Sequence, residues 1–404
     1  MANVLEVVMV PNGWKLVEAK DVCESISVGV VIKPTQYYVE ESEGVKAFRS
    51  ANVREGFIND HDWVYFSHEG HAANKKSQLK AGDILIVRTG YPGTACVVTP
   101  EFEGSNAIDI VIARPDREQI ISEYLCAYTN SHMGKSQVLD LQGGMAQKHL
   151  NVGAYQVLKI KLPPLPEQKK IAQILSTWDK AITTTEQLLA NSQQQKKALM
   201  QQLLTGKKRL LDKNGVRFSG EWASYLLEEL EELGWIELGR GNVISKKDID
   251  NIPGDYPIYS SSVKNNGLMG KYGEYMFDEE LISWSVDGGG NFFYRPKHKF
   301  SVTNVSGYMR LNAENLNCQF IAAQLELHHS RLEFDYQSKA HPSVIRKVYT
   351  LTVPCLKEQS KIAAVLSTAD QEISTLQQKL DALKQEKKAL MQQLLTGKCR
   401  VQIN

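Results

Sequence analysis

The twelve-residue string KKALMQQLLTGK occurs twice, at Lys196–Lys207 and again at Lys387–Lys398. The second copy starts 191 residues after the first, an offset far longer than any solenoid unit. The likeness extends upstream without a gap: PPLPEQKKIAQILSTWD at Pro163–Asp179 pairs with PCLKEQSKIAAVLSTAD at Pro354–Asp370. From Pro163 to Arg209 about 29 of 47 positions match their partners. The segments that precede each copy look little alike. Two alike cassettes, 163–211 and 354–404, therefore alternate with two unlike globular segments, 1–162 and 212–353. Such a chain places two different surfaces on one approximately symmetric frame.

The cassettes read as long helices. Pro163, Pro164 and Pro166 precede the first and Pro354 the second, as at helix starts, and Gly206 and Gly397 are natural stops. In the second copy Leu366, Ala369, Ile373, Leu376, Leu380, Leu383, Lys387, Leu390 and Leu394 alternate spacings of three and four, a heptad seam with one charged member. The first copy repeats the spacing from Leu175 to Leu203 with more polar interruptions, among them Thr185, Ser192 and Lys196. Each helix should run roughly 35–40 residues, or about 55–60 Å. Ordinary packing against a globular core would leave similar seams. Two seams of equal length favour pairing with each other, antiparallel, with the copies related by a pseudo-two-fold.

The globular segments share an order of elements. In the first, KAGDILIVRTGYPGTACVV (Lys80–Val98) is two apolar runs around a hairpin-like turn, and NAIDIVIARPD (Asn106–Asp116) is a further strand ended by Pro115. EQIISEYLCAYTNSHMG (Glu118–Gly134) has helical spacing and a glycine stop. In the second, FDEELISWSVDGGGNFFYRP (Phe277–Pro296) gives two strands around a glycine turn. KFSVTNVSGYMRLN (Lys299–Asn312) is the next strand and CQFIAAQLELHHS (Cys318–Ser330) the next helix. Both read as diverged copies of one α+β fold, with Gly13–Val22 and Gly220–Leu230 as candidate domain starts. MANVLEVVMVPNG at the N-terminus reads as an arm or first strand.

A net charge of +1 gives no support for a strongly basic, freely acting DNA binder. The six cysteines are scattered without a CxxC, and there is neither a secretory signal nor an apolar run of membrane length. A reducing cytoplasm, with no membrane partner, is the expectation. Catalytic signatures are missing: no GxxxxGK[ST], HExxH or GxSxG, and no Asn/Asp-Pro-Pro-aromatic tetrad. His68 and His71 are spaced like a partial metal pair, but nothing completes it, and a solvated loop is the better reading. Gly288–Gly290 reads as a tight turn before it reads as a phosphate cradle.

The positive candidates are loop residues with charge and hydrogen-bonding reach. Arg88 and Tyr91 border the GYPG turn, and Gln147 and Lys148 follow a Gly-Gly pair. In the second segment Lys264, Asn265 and Asn266 form a polar run before Gly267, Arg295 and Lys297 lie beside Phe292–Tyr294, and Lys339 and His341 precede Pro342. Such side chains read base edges and hold phosphates, although each alone is also an ordinary solvated residue.

With the cassettes laid out, the chain resembles the DNA-specificity subunit of type I restriction–modification enzymes over essentially its whole length. The resemblance rests on LPPLPEQKKIAQIL with KKALMQQLLTGKKRL and on their second copies CLKEQSKIAAVL with KKALMQQLLTGKCR. GDILIVRTGYPG (Gly82–Gly93), GGMAQKHL (Gly143–Leu150), YPIYSSSVKNNG (Tyr256–Gly267) and SVTNVSGYMRL (Ser301–Leu311) add to it. It implies two target-recognition domains, each reading one half of an interrupted, asymmetric site in double-stranded DNA, held by spacer helices that also dock two methyltransferase subunits. Restriction/translocase subunits complete such a complex. The resemblance implies no catalytic centre and no cofactor in this chain, with S-adenosylmethionine, ATP and Mg on the partners. GGMAQKHL has no clean second copy, only QSKAHPSV (Gln337–Val344), so the two domains should differ in loop geometry there. Two other readings stay open from the residues alone. A coiled-coil scaffold binding only proteins would lack site-specific DNA binding, and an enzyme with an unrecognised centre would show turnover by the isolated chain.

Overall fold

The computed structural model of the chain describes residues 10–140, 149–262, 264–286, 291–332 and 340–403. They form two compact units, one of 1–186 with 379–404, the other of 187–378. Residues 1–9 of the N-terminal arm, Gln147, Lys148, Gly288–Gly290 and Lys339 lie outside the described residues.

In the first unit a four-stranded antiparallel sheet runs in the order Cys23–Val28, Ile110–Pro115, Ile84–Val87, Ala95–Val97. Ile84–Val87 is apolar at every position because the sheet is covered on both faces. Ile84 and Ile86 join a core with Tyr124 and Leu125 of the helix Ser122–Asn130, whereas Leu85 and Val87 join Phe48 and Phe102 on the other side. A second four-stranded sheet, Asn106–Ala107, Gly44–Phe48, Val64–Ser67 and Tyr38–Val39, builds that far side. The unit is closed by Lys15–Glu18 pairing antiparallel with Lys159–Leu162.

The second unit carries one six-stranded sheet in the order Ile236–Arg240, Ser306–Leu311, Phe277–Ser285, Phe292–Val302, Tyr256–Tyr259, Leu268–Tyr272. Its first four strands repeat the order and antiparallel pairing of the first unit's sheet. The helix Cys318–His329 stands where Ser122–Asn130 stands, and Ala223–Leu226 with Thr350–Val353 repeats the closing pair. The segments are thus diverged copies of one α+β core. They differ in what is inserted: a separate sheet in the first, two edge strands in the second.

Three sequence expectations need correction. Lys299–Asn312 is not one strand: Lys299–Val302 ends the long strand Phe292–Val302, and a turn leads into Ser306–Leu311. Asn106–Asp116 is likewise split, because Asp109 takes a left-handed φ of 49° between Asn106–Ala107 and Ile110–Pro115. The helix read over Glu118–Gly134 breaks at Ser131. A second helix, His132–Asp140, passes through Gly134, whose Cβ would lie 2.3 Å from the Tyr128 carbonyl oxygen. Gly134 is a close-packing residue, not a stop.

The spacer helices span Leu165–Leu203 and Leu356–Thr396, 39 and 41 residues. Along both, the heptad positions named above are the shielded ones. Within the first unit Asp179 binds Lys387 and Glu186 binds Lys384, so rising numbers on one helix meet falling numbers on the other. Within the second unit Lys196 binds Asp370 at 2.6 Å and Ser192 donates to Glu372 at 3.0 Å, again antiparallel. Asp179 and Asp370 are copies of each other, as are Lys196 and Lys387. The same bridge therefore forms in each unit with the two cassettes exchanging roles.

The repeated Glu-Gln at the head of each helix has a comparable explanation. Gln168 accepts from Ile121 N at 2.9 Å and donates to the Gln119 and Pro163 carbonyls, and Gln359 does the same with Asn317, Asn315 and Pro354. Glu167 and Glu358 are each 1% exposed. Glu167 accepts two hydrogen bonds from Arg400, at 2.7 and 2.8 Å, and one from Trp14 Nε1 at 3.0 Å. Glu358 accepts two from Arg209, at 2.6 and 2.7 Å. Removing either arginine takes the counter-ion from a buried carboxylate, which destabilises the fold. Arg209→Ala and Arg400→Ala should therefore each lower the urea midpoint of unfolding by comparable amounts. Arg209→Met with Glu358→Met should recover most of the loss, and equal midpoints for Arg209→Ala and the native chain would refute the assignment.

Candidate DNA interface

In the first unit the strands Ile84–Val87 and Cys23–Val28 end on the side where Ile110–Pro115 begins, and the chain between Val87 and Ala95 turns there. Arg88 lies at its base. The side chain is 11% exposed, with Nε donating to the Leu150 carbonyl at 3.0 Å, Nη1 paired with Asp109 and Nη2 against His149 Nε2. All three guanidinium nitrogens are engaged internally, so Arg88 does not project from the turn. It pins the turn to His149, whose Nδ1 also meets Thr89 Oγ1 at 3.0 Å. Arg88 and Thr89 are thereby joined to His149. At the tip Tyr91 is 84% exposed, free to stack or hydrogen-bond. Asp109, whose left-handed backbone lets its carboxylate reach Arg88, was hidden in a run read as continuous strand.

In the second unit Ser260 N donates to the Gly267 carbonyl at 2.8 Å, closing a loop. Lys264, Asn265 and Asn266 are exposed on it, the asparagines at φ 52° and 50°. Gly267 follows at φ 78°, where a Cβ would come within 2.8 Å of the Ser260 carbonyl oxygen. Arg295 sits beneath, 4% exposed, donating to Ser283 Oγ at 2.8 Å and to the Asn266 carbonyl at 2.7 Å. Its guanidinium carbon lies 3.7 Å from the Tyr259 ring centroid and 4.9 Å from that of Phe293. Burial draws its pKa down to about 10, which still leaves it charged at neutral pH. Arg295 is thus brought to the loop but, like Arg88, faces inward. Lys297 is exposed on the same strand. His341 is spent on local structure: it caps the helix Pro342–Val348, its Nδ1 paired with Ser343 Oγ at 2.8 Å.

The remaining chemistry is structural. His68 and His71 lie on a short helix, His68–Ala73, rather than a solvated loop, and His71 Nδ1 meets Asn106 Oδ1. Among the described residues no cluster of three or more His, Cys, Asp or Glu is placed to hold a metal ion, and no helix is long and apolar enough to cross a membrane.

The family model for the type I restriction modification DNA specificity domain matches this chain twice, at residues 11–191 and 220–385. The chain belongs to that family. It is 26% identical over 432 residues to a putative type I restriction enzyme MjaX specificity subunit of Methanocaldococcus jannaschii, covering 98% of this chain and 96% of that one. A putative type I specificity subunit of Mycoplasma pneumoniae is 28% identical over 213 residues, 52% of this chain and 82% of that protein. The crystal structure of the type I restriction–modification S subunit from M. genitalium shares the fold, with a TM-score of 0.63 at 14% identity and 98% coverage of both chains.

Family membership makes sequence-specific DNA recognition within a restriction–modification system the function of the chain, and the protein-only scaffold is not favoured. The family is the recognition component of such systems. In that light the exposed Tyr91, Lys264, Asn265, Asn266 and Lys297 remain candidates for contact, while Arg88 and Arg295 are internal and His341 caps a helix at a partly buried position. Lys297→Ala should leave thermal stability unchanged, because the side chain is solvated. It should weaken target and non-target duplexes alike and reduce the slope of log K against log salt by about one unit. An unchanged salt slope would remove Lys297 from the interface.

Proposed function

We propose that each recognition domain reads one half of an interrupted, asymmetric site and that the chain directs methylation or restriction carried out by partner subunits. The observation that carries this reading is the pairing of two unlike sheet-and-loop surfaces with spacer copies that make the same contacts. Different loops yield different half-sites, while like spacer contacts give each reader the same frame. A spacer helix of 39 residues is about 58 Å long, enough to span half-sites whose centres lie roughly 34–36 Å apart. A near-neutral chain leaves much of the phosphate neutralisation to its partners.

The partners we propose are two methyltransferase subunits, joined by restriction/translocase subunits. They would work in the cytoplasm and carry S-adenosylmethionine, ATP and Mg. Two grooves support the count of two. One, of about 180 Å3, is lined by Ala172, Leu175, Ser176, Asp179, Lys387 and Met391 together with the helix Ser122–Asn130. The other, of about 310 Å3, is lined by Ala363, Leu366, Ser367, Asp370, Lys196 and Met200 together with the helix Cys318–His329. The spacer residues are the same types at equivalent places, so a partner that fits one groove meets the same chemistry at the other.

Replacing 212–353 with the matching segment of a relative, followed by methylome sequencing of cells carrying the complete complex, tests the reading. One half of the methylated motif should change. A change in both halves would refute independent reading. One heptad inserted between Ile182 and Lys196 should lengthen the unread gap or abolish binding, and an unaltered motif at full activity would count against the ruler role.

A further inference from the structure

Arg295 is a charged side chain almost fully removed from water, and among the described residues it has no carboxylate partner. Burying a guanidinium without a counter-ion is costly, so its retention calls for a compensating role. Its three interactions are a hydroxyl, Ser283 Oγ, the faces of Tyr259 and Phe293, and the main-chain carbonyl of Asn266. The first two fix the guanidinium plane. The third reaches into the loop.

That loop carries an uncommon backbone. Asn265 and Asn266 are consecutive non-glycine residues in the left-handed region, as the central residues of a type I′ turn are, a state that asparagine tolerates better than most side chains. Such a conformation persists only where surrounding structure over-determines it. Both side chains are exposed, so packing of the asparagines themselves does not hold it. What does is closure of the Ser260–Gly267 ring, the Lys264 N to Ser262 Oγ hydrogen bond at 3.2 Å, and the charged donor of Arg295 on the Asn266 carbonyl. A hydrogen bond from a charged donor is about twice as strong as a neutral one, which makes Arg295 the strongest of the three.

We propose that Arg295 is a positioning residue for sequence discrimination. It touches no DNA and sets the pose in which Asn265 and Asn266 present their amides to base edges. The inference rests on the reading above that the second domain contacts DNA through this loop. A guanidinium anchored at Ser283 and stacked on Tyr259 is preorganised before DNA arrives. The asparagine amides then pay less ordering entropy on binding, and the wrong base finds them unable to turn.

The test uses the complete complex. Binding is measured to the methylated motif's duplex and to duplexes with single base-pair changes in the second half-site, over a range of salt, beside thermal unfolding. Arg295→Lys keeps the charge but loses the fork and the stacking plane. It should reduce discrimination at one or two positions of the second half-site by roughly tenfold, with the first half-site, non-target affinity and salt slope unchanged. Ser283→Ala, which deletes only the Nε acceptor, should act in the same direction more weakly, and it serves if Arg295→Lys fails to assemble. A salt slope smaller by about one with all duplexes weakened alike would make Arg295 a phosphate contact and overturn the proposal. So would a loss of affinity that only tracks thermal stability, with discrimination intact. Asn265→Gly with Asn266→Gly keeps the left-handed backbone and removes both amides. If that variant leaves the second half-site fully discriminated, the loop is not the reader and the underlying reading fails. If it relaxes the site while the Arg295 and Ser283 variants do not, only the positioning role fails.

Discussion

Glu167 and Glu358 are buried carboxylates, and the arginines that neutralise them lie 233 and 149 residues away in the sequence. A buried charge tolerates little displacement of its partner, so each ion pair fixes where one cassette begins against where the other cassette ends. The neighbouring glutamines tie the same helix starts to backbone groups of the recognition domain. The hydrophobic cores then fill in around these points. In the first unit Ile171 and Leu175 come from one cassette and Met391, Leu394 and Leu395 from the other. In the second, Ile362 and Leu366 are met by Met200, Leu203 and Leu204. Neither recognition domain owns a complete core without both cassettes.

The same economy governs the loops. Arg88 and Arg295 stand at different places in the two folds, yet each is a buried guanidinium beneath an exposed turn: Arg88 ties the base of its turn to Leu150, Asp109 and His149, and Arg295 donates to the backbone of the loop above it. The exposed residues above them differ in type, Tyr91 in one and an asparagine pair in the other. Holding a loop through its backbone leaves its side chains free to vary, which is what a surface must do if its targets are to differ while its scaffold stays the same.

The helical frame was legible in the sequence because it is periodic: heptad spacing, prolines at the starts and glycines at the ends are local signals that packing does not override. The two strands around GYPG and the order of elements in both domains were legible for the same reason. What escaped was decided by tertiary contact. Gly134 reads as a stop and is a contact point between backbones. Asp109 reads as strand and is a left-handed break whose carboxylate is needed by Arg88. An arginine in a loop motif reads as a hand reaching for DNA, and only the fold shows that Arg88 and Arg295 point inward. His341 was equally ambiguous until its capping role beside Pro342 appeared. For exposed positions such as Lys264 and Lys297 the sequence supplied chemistry and the fold supplied access.

The exchange of roles between Asp179–Lys387 and Asp370–Lys196 also bears on how such a gene can change. Both residues of each bridge are encoded inside a repeat, and the repeats carry the same aspartate and the same lysine. A genetic crossover between repeats of two related genes would transplant a recognition domain whole and leave an aspartate facing a lysine at each bridge. The reading heads can then be reshuffled at the pace of recombination, without any compensating mutation along the seam.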